Sequence, residues 1–167
     1  FRRDILNKKA RELGGDKLAI GHNLDDEVSS AFMNYLKGDL KRLARMGAKT
    51  YKVPSENFVP RIKPMRRLLE KEIRLFSKIK ELGAYQSKCP YKVTALRKKV
   101  GEFLDSLEED SPTMKFSALS TLDRLLPVVR ENFYGETEEV NPCKKCGEPS
   151  SGEICRKCQL LKEIKEL

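Results

Sequence analysis

Four of the five cysteines stand as Cys143-x2-Cys146 and Cys155-x2-Cys158, with only eight residues between the two pairs. Two such knuckles bring four thiolates around one ion with little loop entropy to overcome, which is the ligand set of a closed tetrahedral zinc site. Gly147 and the stretch Pro149-Ser150-Ser151-Gly152 supply the turns. Three other uses of the cysteines compete. Disulfides need an oxidising compartment, an iron-sulfur centre also takes thiolates, and a redox CxxC of the thioredoxin kind occurs once, beside a βαβ unit. The close double spacing favours a compact zinc ribbon at Cys143, Cys146, Cys155 and Cys158. Four thiolates leave no position open for water, so such a site stabilises rather than reacts.

The 167 residues suffice for one domain with a proper core plus a small appendage, and not for two large domains. Thiols in metal-binding spacing, with no signal peptide and no apolar span in view, point to a reducing cytoplasm and to no membrane partner. The 34 basic residues exceed the 25 acidic ones, for a formal charge of +9. A basic excess can serve solubility alone, but here it is clustered. Arg61, Lys63, Arg66, Arg67 and Lys71 form one group; Lys88, Lys92, Arg97, Lys98 and Lys99 form another. Clustering of this kind suits a phosphate backbone. The chain opens on Phe1-Arg2-Arg3 and runs straight into a helical pattern, which reads as a fragment of a longer protein.

Periodicity predicts a helix over residues 2–13, carrying Ile5, Leu6, Ala10 and Leu13 and closed by Gly14-Gly15. Lys17 to Ile20 then reads as a short buried strand, and the next helix opens on Asp25-Asp26-Glu27 with Val28, Ala31, Phe32, Tyr35 and Leu36 as its apolar stripe. Helix, strand, helix is the signature of a parallel α/β sheet. Prolines 54, 60 and 64 restrict residues 51–64 to extended or edge segments. Further helices are expected over 68–82 with Leu68, Leu69, Ile73, Phe76, Ile79 and Leu82 inward, over 92–107 with Val93, Leu96, Val100, Phe103 and Leu107 inward, and over 113–133 with a kink at Pro127. A boundary near 137 divides an α/β domain of residues 1–136 from a zinc ribbon and terminal helix at 137–167.

In open α/β sheets, ligands sit at the carboxyl ends of strands against helix N-termini. The run Gly21-His22-Asn23-Leu24-Asp25-Asp26-Glu27 occupies such a place. Gly21 admits backbone close to a ligand, His22 and Asn23 offer donors, and the two carboxylates can hold magnesium or move protons. Equally, Asp25 and Asp26 can simply cap a helix, and His22 can be a hydrogen-bonded core residue.

This run, the Arg61-Ile62-Lys63-Pro64 segment, the Cys89-Pro90-Tyr91 tripeptide and the terminal CxxC pair follow one another in an order that resembles the PP-loop, ATP-dependent tRNA 2-thiolation family. Within it the likeness is to the archaeal and eukaryotic-type uridine thiolases, related to TtuA and TtcA, and it covers essentially the whole chain. The resemblance implies the C-terminal part of a Rossmann-like adenine-nucleotide alpha-hydrolase domain with a helical extension. It also implies a chemistry in which ATP adenylates the C2 oxygen of a tRNA uridine and a sulfur donor displaces AMP. Sulfur in this family often passes through a 4Fe-4S cluster held by three cysteines, with one iron left open.

Carried over residue by residue, the resemblance makes Cys89 the third cluster ligand and Asp26 the catalytic carboxylate, with Asp25 the weaker candidate of the pair. Arg2 or Arg3 matches the basic residue after the family's cluster CxxC. Gly21, His22 and Asn23 would border ATP and its magnesium, and Arg61, Lys63 and Lys88 would meet tRNA. The implied partners are tRNA, a sulfur donor (sulfide or a thiocarboxylated ubiquitin-like carrier protein) and a second copy of the chain. The family's SGGxDS-like nucleotide loop and its two upstream cluster cysteines have no counterpart in these 167 residues. The isolated chain is therefore expected to bind ATP poorly and to hold no cluster. A zinc-ribbon tRNA adaptor without catalysis is the competing account, and a relative of tRNA-lysidine or GMP synthetases, using an amine nucleophile, is a weaker third.

Overall fold

The computed structural model describes residues 1–49, 58–84, 96–134, 141–150 and 152–165. Helix α1 (Arg2–Glu12) ends where Gly14 takes a left-handed φ of 67°, a conformation that costs a residue with a side chain much more. Strand β1 (Leu18–Ala19) follows and pairs in parallel with β2 (Arg61–Ile62), Leu18 opposite Arg61 and Ala19 opposite Ile62. The parallel pairing expected from the helix-strand-helix order is present. Pro60 and Pro64 flank β2 and keep it short, because neither can donate to a ladder.

Helix α2 (Leu24–Leu36) starts at an Asn23 cap, and the short α3 (Leu40–Ala44) starts at an Asp39 cap. Three longer elements follow: α4 (Glu70–Ile79), α5 (Leu96–Asp110) and α6 (Met114–Tyr134). Helix α6 runs continuously through Pro127, whose ring nitrogen cannot donate to Asp123 one turn back. A two-stranded antiparallel ribbon, β3 (Asn141–Pro142) with β4 (Pro149–Ser150), and helix α7 (Arg156–Lys165) carry the cysteines. The boundary expected near residue 137 lies outside the described residues.

The core forms where α2, α3, α5 and α6 meet. Leu24, Val28, Leu43, Met46, Leu69, Val100, Leu104, Leu119, Leu122 and Leu126 pack there. Burial of each such side chain contributes roughly 1.5–3 kcal/mol. Phe32 of α2 stacks on Phe103 of α5 with ring centroids 5.8 Å apart, which sets the register of these two helices. Arg130 of α6 reaches back to the end of α3, donating to the carbonyls of Ala44 at 3.0 Å and Met46 at 2.6 Å. Gly47 allows this approach, since a Cβ there would lie 3.0 Å from the Arg130 guanidinium at a φ of 132°.

Several inward assignments change. On α4 only Leu69, its cap, is buried; Ile73 is half-buried, while Leu68, Phe76, Ile79 and Leu82 are exposed. The apolar stripe is real, but α4 meets the body at its first turn and its later turns have no core to face among the described residues. On α5 the buried apolar positions are Val100 and Leu104, with Leu96 and Phe103 half open to solvent. Tyr35 and Leu36 end the α2 stripe at the surface. On α1 the buried residue is Asn7, and Ile5, Leu6 and Leu13 are exposed. Asn7 is selected by polarity rather than by apolar spacing, because its Oδ1 accepts the Val59 backbone N–H at 2.9 Å.

Candidate active site and four-cysteine centre

The carboxyl end of β1 leads through Ile20, whose N–H is bonded to the Ile62 carbonyl at 2.9 Å, into Gly21, His22 and Asn23 and then directly into α2. Gly21 and His22 are exposed in this turn. Asn23 and Asp26 form a reciprocal capping box: the Asp26 N–H donates to Asn23 Oδ1 at 2.9 Å, and the Asn23 N–H reaches Asp26 Oδ2 at 3.4 Å. The helix-capping reading of this acidic turn therefore holds, but it engages Asp26 through one long bond only.

Successive positions on a helix diverge by about 100°, so Asp25 and Asp26 face different surroundings. Asp25 Oδ1 pairs with Lys115 Nζ at 2.6 Å, and its Oδ2 accepts the Glu70 N–H at 2.6 Å. Lys115 is 3% exposed and is also held by Asp105 at 2.5 Å and Glu108 at 2.6 Å. Its ammonium fills the space among three carboxylates that by spacing alone could have taken a cation. Burial by itself would lower the Lys115 pKa, but the bonds from Asp105, Asp25 and Glu108 overcome it and raise the pKa. The same contact, with a second from Lys71, holds the Glu108 carboxyl below its usual range. Asp25 thus pins α2, α4 and α6 together, and nothing in this arrangement lets the Asp25–Asp26 pair grip one ion.

Asp26 faces a cleft of about 470 Å³ between α2 and α5, bordered by Asn23, Ser29, Arg74, Arg97 and Lys98, whose wall the paired Asp25 and Lys115 also line. Among the described residues its ion-pair partner is Arg97, at a loose 3.7 Å from Oδ1, with the two side chains 53% and 34% exposed. Arg97 also donates to Ser30 Oγ at 2.9 Å. Sequence spacing could not pair Arg97 with Asp26, which lies 71 positions earlier.

Of the residues expected to meet RNA, Arg61 and Lys63 turn inward. Arg61 is 9% exposed and lies over the Phe58 ring at 5.6 Å; burial first, then the charge of Arg3, lowers its pKa. Arg2 and Arg3 are both exposed on the first turn of α1. Lys63 Nζ bonds Glu27 Oε1 at 2.6 Å. Arg66, also buried, donates to Glu27 at 3.0 Å and forks onto Asp123 at 2.8 and 2.7 Å. Burial acts to lower the Arg66 pKa, but the hydrogen bonds it donates to Asp123 and Glu27 raise it overall. Arg67, Lys71, Arg74 and Arg97 are among the exposed bases around this part of the fold. Cys89 and Lys88 lie outside the described residues.

The sulfurs of Cys143, Cys146, Cys155 and Cys158 all fall within 4.8 Å of one another, with Cys146 and Cys155 3.6 Å apart. A tetrahedral zinc with bonds near 2.3 Å would place its sulfurs about 3.8 Å apart, near the Cys146–Cys155 distance and inside the bound on the other pairs, so the cage has a size that zinc can take. A cubane cluster, whose thiolates sit at the outer corners, needs a wider one. Backbone N–H groups are already aimed at the thiolates. The Cys155 N–H lies 3.2 Å from Cys143 Sγ and, with those of Lys145 and Cys146, holds that thiol at about 6 against burial. Burial and the neighbouring thiols push Cys158 up to about 12. One sulfur is thus readied as thiolate, and a cation would have to draw the proton from another.

The acidic turn that follows the parallel strand and the four-cysteine centre are two separate features of a mixed protein of helices and small sheets. No family model matches the chain. Among curated proteins, the tRNA 2-thiolation protein NcsA of Haloferax volcanii is 38% identical over 170 residues, covering 98% of this chain and 53% of the relative. The cytoplasmic tRNA 2-thiolation protein 1 of Xenopus laevis is 35% identical over 164 residues, covering 98% of this chain and 46% of the relative. Among solved structures, the U34-tRNA thiolase NcsA from Methanococcus maripaludis, described with its 4Fe-4S cluster, matches with a TM-score of 0.76 at 38% identity, covering 98% of this chain and 50% of that one. The chain belongs to the tRNA 2-thiolation protein family, and it spans about half the length of the curated relatives it matches.

Proposed function

We propose that this chain is the C-terminal part of a PP-loop tRNA 2-thiolation enzyme that works in the cytoplasm on tRNA and ATP. Likeness along 98% of its length to tRNA 2-thiolation proteins carries this reading. The different surroundings of Asp25 and Asp26 support a division of roles within it. Gly21, His22 and Asn23, at the end of β1, border the nucleotide in a Rossmann-like adenine-nucleotide alpha-hydrolase domain spanning residues 1–136. Asp26 serves the adenylation step, in which the uridine C2 oxygen bonds the α-phosphorus of ATP and pyrophosphate leaves, with magnesium on the phosphates. Asp25 holds the scaffold. The exposed bases Arg67, Lys71, Arg74 and Arg97 receive the tRNA backbone, while Arg61, Lys63 and Arg66 support the segment beneath them.

Zinc is the ion for Cys143, Cys146, Cys155 and Cys158 in a ribbon spanning 137–167, because four thiolates in this tight cage match its preferred geometry. Cys89 is the candidate third ligand of a 4Fe-4S cluster, which when bound would supply an open iron for sulfide. The remaining ligands would come from outside this chain. Sulfide or a thiocarboxylated carrier protein donates the sulfur, and the enzyme acts as a homodimer.

Cys89→Ala and Cys146→Ser in the full-length protein separate the two centres. Cys89→Ala should remove the visible iron-sulfur absorption and thiolation while one zinc per chain remains by elemental analysis. Cys146→Ser should lose zinc first. Wild-type thiolation by Cys89→Ala would refute the cluster assignment.

A further inference from the structure

Several carboxylates around this site are met by cations at hydrogen-bond distance. Glu27 is held by Lys63 and Arg66, Asp123 by Arg66, and Asp25 by Lys115, all at 2.6–3.0 Å. Asp26 and Arg97 differ. Their 3.7 Å separation is beyond a hydrogen bond, and both side chains open on the cleft. Arg97 is nonetheless not adrift. Ser30 lies one helical turn after Asp26 on the same face of α2, and its Oγ holds the guanidinium at 2.9 Å. The Phe32–Phe103 stack, six residues on from Asp26 in one helix and from Arg97 in the other, fixes the distance between the two backbones.

A guanidinium held at one edge keeps its remaining N–H groups for a second acceptor. Asp26 supplies a weak one, and a phosphate, with two oxygens matching the planar fork, supplies a stronger one. We propose that Arg97 is a positioning residue for Asp26: anchored on Ser30, it draws the carboxylate toward the cleft, and with substrate bound it spans Asp26 and a substrate phosphate so that the carboxylate stays aimed at the reacting group. The proposal rests on the assignment of Asp26 above. The phosphate belongs either to the tRNA backbone or to ATP, and the two sources weaken different constants when Arg97 is changed.

The test uses the full-length protein and follows AMP and pyrophosphate formation from ATP in the presence of tRNA, a step that does not draw on sulfur chemistry. Arg97→Ala should lower kcat at least tenfold with the melting temperature unchanged. It should also raise KM at least threefold for tRNA if the phosphate is the RNA's, or for ATP if it is the nucleotide's. Arg97→Lys should recover most of KM, since charge remains, and little of kcat, since an ammonium cannot hold Ser30 and aim Asp26 together. Ser30→Ala, a milder change, should cut kcat a few-fold by loosening the guanidinium. Because Arg97 acts through Asp26, the double variant Arg97→Ala/Asp26→Asn should have the same kcat as Asp26→Asn alone. Multiplied losses in the double variant, or a wild-type kcat in Arg97→Ala, would overturn the proposal while leaving Asp26 in place. Wild-type turnover by Asp26→Asn would overturn the reading of Asp26 and the proposal with it.

Discussion

Glu148, two residues past Cys146, accepts a hydrogen bond from Arg11 Nη2 at 2.6 Å, across 137 positions of sequence. The other Glu148 oxygen takes the Asn7 amide at 3.3 Å, and Lys157 of α7 pairs with Asp4 at 2.9 Å. The Glu148 carbonyl meanwhile accepts the Cys143 N–H at 2.9 Å. One residue therefore closes the first cysteine knuckle with its backbone and fastens that knuckle to α1 with its side chain.

Glu148→Ala should destabilise the protein by about 1–3 kcal/mol, because it removes one part-buried acceptor from both Arg11 and Asn7. Hydrogen exchange should quicken in α1 and in residues 141–150, with metal content unchanged. Equal protection in the variant would show that the ribbon rests on α1 without holding it.

Removing metal with a chelator should unfold the ribbon, since four converging thiols without an ion offset little of their ordering entropy. Acid should have the same effect. A thiol must lose its proton to bind, so affinity falls as pH falls, and Cys158, whose thiol burial pushes up to about 12, is the costliest to deprotonate. Zinc release followed with a colorimetric indicator from pH 8 to pH 4 measures both, and release independent of pH would contradict it.

Glu108→Gln should cost about 3 kcal/mol at neutral pH, since it leaves Lys71 unmatched and removes one of three charges around buried Lys115. The Glu108 pKa is lowered below 4.5 in the folded state, so its contribution is complete above that pH and is lost as pH falls through the folded value. Lys115 behaves oppositely. Its pKa is raised above 10.5, so its contribution is complete below that pH and is lost as pH rises through the folded value. Urea midpoints of the wild type and Glu108→Gln should converge below pH 4.5, and a constant gap down to pH 3 would sink the assignment.

The acidic pair should divide cleanly. Asp26→Asn in the full-length enzyme should lower adenylation by roughly 10²–10⁴ with little change in stability. Asp25→Asn should cost about 2–4 kcal/mol by leaving Lys115 short of a partner, with the surviving folded enzyme still turning over. Melting curves beside initial rates decide it, and the reverse pattern would exchange the two roles.

Local chemistry explains what was legible beforehand. CxxC spacing is a covalent constraint on four sulfurs, so the thiolate cage could be expected without knowing any other contact. The helices over 2–12, 24–36 and 114–134 follow from residue spacing and from their neighbours, Gly14 and Asn23 among them. The place of Gly21 to Asp26, between a parallel strand and a helix start, follows from the same patterns. Inward faces were read less well. Periodicity marks which side of α4 is apolar, but whether a core meets that side depends on how far the helix leans from the body. Leu69 is buried while Phe76 and Ile79, on the same stripe, are 57% and 68% exposed.

Charge was the least legible property, for a physical reason. Arg61, Lys63 and Arg66 read as a basic patch because composition records charge without direction. In the fold Lys63 and Arg66 bond Glu27, Arg66 also grips Asp123, and Arg61 lies over Phe58. The sequence by itself determined the cysteine cage, most helix bounds and the location of the acidic turn, all of which depend on residues within a few turns of one another. Only the tertiary structure decided that Asp25 is bound to Lys115, 90 positions away, while Asp26 remains open to the cleft beside Arg97. A carboxylate's availability depends on which distant cation reaches it, and chain packing alone sets that distance.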